Sequence, residues 1–160
     1  MDSEFNYREG TEETELTELT EFPSSELTGR ILAAAFDVHT LMGPGLLESV
    51  YERAMAHELE LREIDFATQV IVPIHYKGRS LDTPLRLDLI VAGQVIVEIK
   101  AVSKIDEIHR AQLLTYLRMA RLRSGLLINF NVESLRQGIR RVFNTHKTSF
   151  TPLTPFTPGK

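Results

Sequence analysis

An α/β fold, a mixed β-sheet of about four strands flanked by helices, is predicted by three features of this 160-residue sequence. Apolar residues recur at helical spacing over residues 26–42, 46–63 and 105–120. Short apolar or alternating runs at 69–76, 85–91, 94–99 and 126–130 have the pattern of strands. The two kinds of segment interleave, with a helix between the third and fourth strands, which calls for helices packed on a mixed sheet.

Each element has its own local reason. Ser24 or Ser25 can cap the first helix, whose stripe is Leu27, Ile31, Ala35, Val38 and Met42. Gly43-Pro44-Gly45 breaks it. The second helix carries Leu47, Val50, Tyr51, Ala54 and Leu59 largely on one side. The first strand meets a turn at Lys77-Gly78, and the next two form a hairpin around Ala92-Gly93. Ser124-Gly125 precedes Leu126 to Phe130, an apolar run typical of a buried strand. Ser134 to Val142 fits strand or helix equally. No internal repeat is present.

The flanks differ from the body. Residues 1–24 are acidic, Glu/Thr-rich and poor in apolar periodicity, and are expected to be disordered. Met1 to Thr20 holds no apolar stretch and is not expected to act as a secretory signal. Residues 147–160 carry Pro152, Pro155 and Pro158 among threonines and are expected to be a flexible tail. The folded domain is thereby placed at 25–146. The net charge of −4 hides this division. Nine acids and Arg8 fall in residues 1–26, whereas the remainder has 17 Lys+Arg against 13 Asp+Glu. A mildly basic body is compatible with a nucleic-acid partner, and equally with an ordinary solvated surface. No run is apolar enough to cross a membrane. The absence of cysteine excludes disulfides, thiolate metal sites and cysteine nucleophiles, and suits a reducing cytoplasm.

Three polar residues stand out inside the strands. Asp88 interrupts Arg86 to Val91, and Glu98 and Lys100 interrupt Val95 to Lys100. Carboxylates avoid burial unless paired or bound to a metal. Side chains alternate along a strand, so Glu98 and Lys100 share a face. Asp88 joins them only if the hairpin loop has an odd number of residues. A three-residue loop such as Val91-Ala92-Gly93, with Gly93 left-handed, meets that condition. Leu87, Leu89, Val95, Val97 and Ile99 are then expected on the opposite, apolar face.

Two carboxylates and an ammonium so placed suit Mg²⁺ or Mn²⁺ and metal-assisted phosphodiester hydrolysis. Asp88 and Glu98 would hold the metal, and Lys100 would orient water or stabilise developing charge. The same residues at a surface would make an ordinary ion cluster, and spacing alone does not separate the two. Gln112 and Tyr116 share a helical face at i, i+4, as do Glu48 and Tyr51 at i, i+3. The helix dipole favours Glu48 in the first turn whatever its role. His109 precedes Gln112 by three residues and either contacts phosphate or lies on the helix surface. His39 near a helix C-terminus reads as structural. Arg118, Arg121 and Arg123, with Arg136, Arg140 and Arg141, could track a phosphate backbone or simply be solvated. Aromatics are only 8% of the chain, with no tryptophan, which gives stacking on single strands little support.

Several of these residues occur in ordered motifs: Gly43-Pro44-Gly45 running into Glu48 and Tyr51, Arg86-Leu87-Asp88, Val97 to Val102, Ala111 to Leu117, and Gly125 to Phe130. Over residues 25–143 the chain resembles the GxxExxY family, placed in the PD-(D/E)XK nuclease superfamily. The resemblance implies a restriction-endonuclease-like core. It implies a metal-binding aspartate at Asp88 and the (D/E)XK pair at Glu98 and Lys100. It also implies a first-helix acid at Glu48 and a Gln-x-x-x-Tyr pair at Gln112 and Tyr116. Leu87 stands where the superfamily's name has proline. The function implied is a Mg²⁺-dependent (or Mn²⁺-dependent) nuclease acting on DNA or RNA, and a domain this small that cuts duplex would work as a homodimer. The alternatives are a non-catalytic nucleic-acid- or protein-binding module, and hydrolysis of a small phosphate ester.

Overall fold

The structure, a computed structural model, describes residues 25–146. The expected tails, and the capping role of Ser24 or Ser25, lie outside what it describes. Helices α1 (Ser25–Met42) and α2 (Glu48–Leu61) come first, then strands β1 (Phe66–Tyr76), β2 (Arg79–Val91) and β3 (Val95–Lys100). Helix α3 (Glu107–Ala120), strand β4 (Ser124–Asn129), a 3₁₀ turn (Leu135–Gly138) and strand β5 (Ile139–Phe143) follow. The strands lie in the order β1-β2-β3-β4-β5. Only β3 and β4 pair parallel, and α3 makes the crossover that parallel neighbours need.

The sheet has five strands among the described residues rather than about four. The segment left undecided by its periodicity contains both conformations, a 3₁₀ turn and then β5. Strand β2 starts at Arg79, six residues before the apolar run that marks it in the sequence. Its first half is polar and exposed, so hydrophobic patterning could not reveal it. Between Val72 and Ile74 the β1–β2 register shifts, and Pro73 and Pro84 fall at this irregularity. Proline lacks a ladder donor and is tolerated there.

Two apolar layers sandwich the sheet. On one side Ile31, Ala35 and Val38 of α1 and Tyr51, Met55 and Leu59 of α2 pack on Leu89, Val91, Val95, Val97 and Ile99. On the other, Leu113, Leu117 and Ala120 of α3 pack on Ile90, Ile96 and Leu127. Leu87 belongs to this second layer, contrary to the face expected for it. It pairs with Val70, next to Gln69, whose left-handed backbone (φ 51°) interrupts β1. The α2 stripe is also corrected. Leu47 is 74% exposed, whereas Met55 is fully buried.

Tyr51 fastens the break between α1 and α2. Its hydroxyl donates to the Gly43 carbonyl at 2.5 Å and accepts from the Leu46 amide at 3.1 Å. Its ring stacks on Phe130 at 4.7 Å. Gly43 and Gly45 both have positive φ, so the turn that presents these groups needs the freedom of glycine. His39 is structural, its Nε2 lying 2.8 Å from the Val132 carbonyl.

Candidate active site

The β2–β3 loop is Ala92-Gly93-Gln94, flanked by the Val91↔Val95 pair. It is odd in length, as the shared face of the three polar residues requires, but lies one residue later than Val91-Ala92-Gly93. Ala92 and Gly93 are both left-handed, and the Gln94 amide donates to the Val91 carbonyl at 3.0 Å. Counting back through Leu89↔Val97 sets Asp88 across from Glu98.

There the sheet forks. Strand β2 is paired with β3 only from Leu89 onward, and before that only with β1. Strand β3 continues beside β4 to the Lys100↔Asn129 pair. The two carboxylates fill the notch and take over backbone donors exposed by the parting strands. The Asp88 carboxylate accepts from the Ile99 amide at 2.9 Å, and the Glu98 carboxylate accepts from the Asp88 amide at 3.2 Å. These bonds cross, so each acid is held by the strand opposite its own.

Glu98 is 5% exposed, while Asp88 and Lys100 are half-buried. Burial, and after it the adjacent Asp88 charge, raise the Glu98 carboxyl to about 8 against the opposing effects of the Asp88 amide and Lys100. Two like charges in one desolvated notch favour retention of a proton or capture of a cation. Tyr116 of α3 belongs to the same field. Burial and then the charges of Glu98 and Asp88 raise its phenol, while a hydrogen bond with Gln112 acts the other way. Tyr116, hydrogen-bonded to Gln112, therefore lies within electrostatic reach of the strand acids.

Other candidates are placed differently. Glu48 is exposed at the start of α2, whereas Tyr51 is wholly buried, so the two do not form a joint surface. The Nδ1 of His109 accepts from the Asp106 amide at 3.0 Å, giving this histidine a capping job at the start of α3. Arg140 turns to the carbonyls of Gln137 and Ile139 at 2.9 and 2.8 Å.

Two residues not singled out by the sequence approach the notch. Glu52, one turn after Glu48, is raised by burial, opposed by its hydrogen bond with Gln69, and raised again by the charges of Asp88 and Glu48. The Gln69 side-chain amide donates to Glu52. Both line an open groove of about 410 Å³ between α2 and β1. The i, i+4 repeat of acids in α2 was the available signal for Glu52, but the same spacing occurs on any solvated helix.

Asn129 anchors the other margin. It is 1% exposed, accepts from the Val102 amide at 3.1 Å and donates to the Val102 carbonyl at 2.9 Å. The chain leaving Lys100 is thus tied to the end of β4.

The donor set of the notch is oxygen only, which suits a hard cation. Among the described residues no group of three or more His, Asp or Glu side chains is gathered closely enough to hold a metal. A hard cation in the notch would be held by one or two carboxylates, with water and phosphate completing its shell.

A forked, mixed five-stranded sheet between helical layers, with an acid pair and a lysine at the fork, is a nuclease-like α/β domain. A family model described as the PD-(D/E)XK nuclease superfamily matches residues 25–142, and the chain belongs to that superfamily. No curated protein and no solved structure matches the chain. Among the described residues no helix is long and apolar enough to cross a membrane.

Proposed function

We propose that the protein is a Mg²⁺- or Mn²⁺-dependent nuclease that hydrolyses phosphodiester bonds, with its site at the fork. The observation that carries this reading is the crossed pair of half-buried Asp88 and buried Glu98 beside Lys100. Asp88 and Glu98 would hold the ion, which when bound supplies Lewis-acid charge for the phosphate and its attacking water. Lys100, fixed by the Asn129 clamp on the following residues, orients that water or neutralises the charge that develops on phosphate. Tyr116 and Gln112 present a phenol and an amide to the substrate backbone from α3. Glu48 is kept as an outer acid on α2, and His109 as a contact at the rim. Within the superfamily, Gly45, Glu48 and Tyr51 support a GxxExxY assignment. The lack of cysteine supports a cytoplasmic setting.

The test is cleavage of DNA and RNA in Mg²⁺ or Mn²⁺ by wild type, Asp88→Ala and Lys100→Ala. Both variants are expected to lose at least about a hundredfold in rate, the scale of a positioned electrostatic group. Undiminished cleavage by both variants would remove the assignment.

A further inference from the structure

We infer that the β1–β2 ribbon is a substrate-gripping arm that enters the major groove of duplex DNA; this deepens the nuclease reading and rests on it. Beyond the fork the two strands lose their other neighbours. The pairs from Val70↔Leu87 to Tyr76↔Arg79 form a two-stranded ribbon that β3 does not join. Its base packs on α3 through Val70, Val72 and Leu85. From Pro73 to Pro84 every residue is exposed except Ile74, which is half-buried.

The composition of the arm selects its partner. Lys77, Arg79 and Arg86 face a single acid, Asp82, across residues 70–87. Tyr76 is 62% exposed at the tip, with the Lys77 ammonium 5.4 Å from its ring centre. A cationic arm with exposed apolar and aromatic groups complements phosphates and groove walls. A partner β-strand is a poor occupant, because each strand of the ribbon carries a proline, at Pro73 and Pro84, beside the register shift. Prolines and bulges blunt edge pairing.

Dimensions point to the duplex form. From Val70 to Tyr76 the ribbon extends about 20 Å at roughly 3.3 Å per residue. Paired strands about 4.8 Å apart, with their side chains, fit a B-DNA major groove about 12 Å wide. The A-form major groove of duplex RNA is too deep and narrow for such an arm. The arm leaves the sheet at Asp88, so its docking would bring a backbone phosphate towards the fork.

Fluorescence anisotropy of the full chain tests this in EDTA over a range of salt. The probes are a DNA duplex of a few turns, an RNA duplex of matching sequence and the DNA single strand. The wild type is expected to favour duplex DNA. Lys77→Glu, Arg79→Glu and Arg86→Glu combined are expected to weaken that binding at least tenfold. The corresponding triple alanine variant should flatten the plot of log affinity against log salt by about one per lost contact. All three side chains lie outside the apolar layers, and the melting temperature should stay at the wild-type value. Unchanged affinity and salt slope in both variants would overturn the arm and leave the nuclease reading intact. A wild-type preference for duplex RNA or single strands would overturn the groove assignment. A wild type that binds none of the three in EDTA, and cuts none of them when excess Mg²⁺ or Mn²⁺ is then added, would sink the nuclease reading and the arm with it.

Discussion

A carboxyl buried beside a second carboxyl holds its proton more tightly in the folded chain than in the unfolded one. Glu98 does so, with its folded value at about 8 against an ordinary 4.5. The folded state then binds more protons than the unfolded state between these values, so stability falls as pH rises through that window. The full contribution is present below about pH 4.5 and is lost by about pH 8. Its size is of the order of a few kcal/mol. Thermal melts of the metal-free protein should decline from pH 5 towards pH 8 by more than those of Glu98→Gln, which has no proton to lose. Parallel pH profiles for the two proteins would contradict the burial argument. Residue identity alone located Asp88, Glu98 and Lys100, because acids and a lysine inside apolar strands are conspicuous. It did not locate Glu52 or Gln69. An acid on a charged helix is unremarkable, and nothing in a sequence marks a glutamine that will adopt positive φ.

At the level of elements, the hairpin loop illustrates how parity can be inferred while register is not. The shared face of Asp88 and Glu98 demanded an odd loop, and the Val91↔Val95 closure has one. Which three residues form it depends on turn geometry. Here both Ala92 (φ 50°) and Gly93 (φ 65°) are left-handed. Alanine in that conformation carries a steric cost that glycine avoids. Ala92→Gly should therefore raise stability by about 0.5–1 kcal/mol, measured as a shift in the urea midpoint with an unchanged slope. A lower midpoint would mean that the Ala92 methyl contributes packing exceeding its strain. Strand β5 stayed illegible for a related reason. Nine residues divided between a 3₁₀ turn and a strand give neither period enough length to register.

Across the whole molecule, the layers follow from the sequence because the apolar stripes of α1, α3 and the central strands are long and regular. The fork does not, since it depends on where β2 abandons β3, a long-range choice with no local marker. On the proposed function, the fork would also make ion binding a property of the fold. The acids reach it from β2 and β3, and β3 is braced in turn by β4 after a helical crossover. An ion gripped there binds the folded state and not the unfolded chain. At a concentration a hundredfold above its Kd, Mn²⁺ should add roughly 2.7 kcal/mol of stability. Differential scanning calorimetry should show a rising melting temperature in the wild type and none in the Asp88→Ala, Glu98→Ala double variant. An equal rise in both would locate the ion elsewhere.

The crossed bonds at the notch carry a spectroscopic consequence. The Ile99 N–H points at a side-chain carboxylate, where a regular ladder would offer a peptide carbonyl. Its chemical environment therefore depends on whether that acid is ionised, neutralised or claimed by a cation. One backbone resonance in the middle of the domain thus doubles as an indicator of the charge state of the site, legible by NMR without any added label.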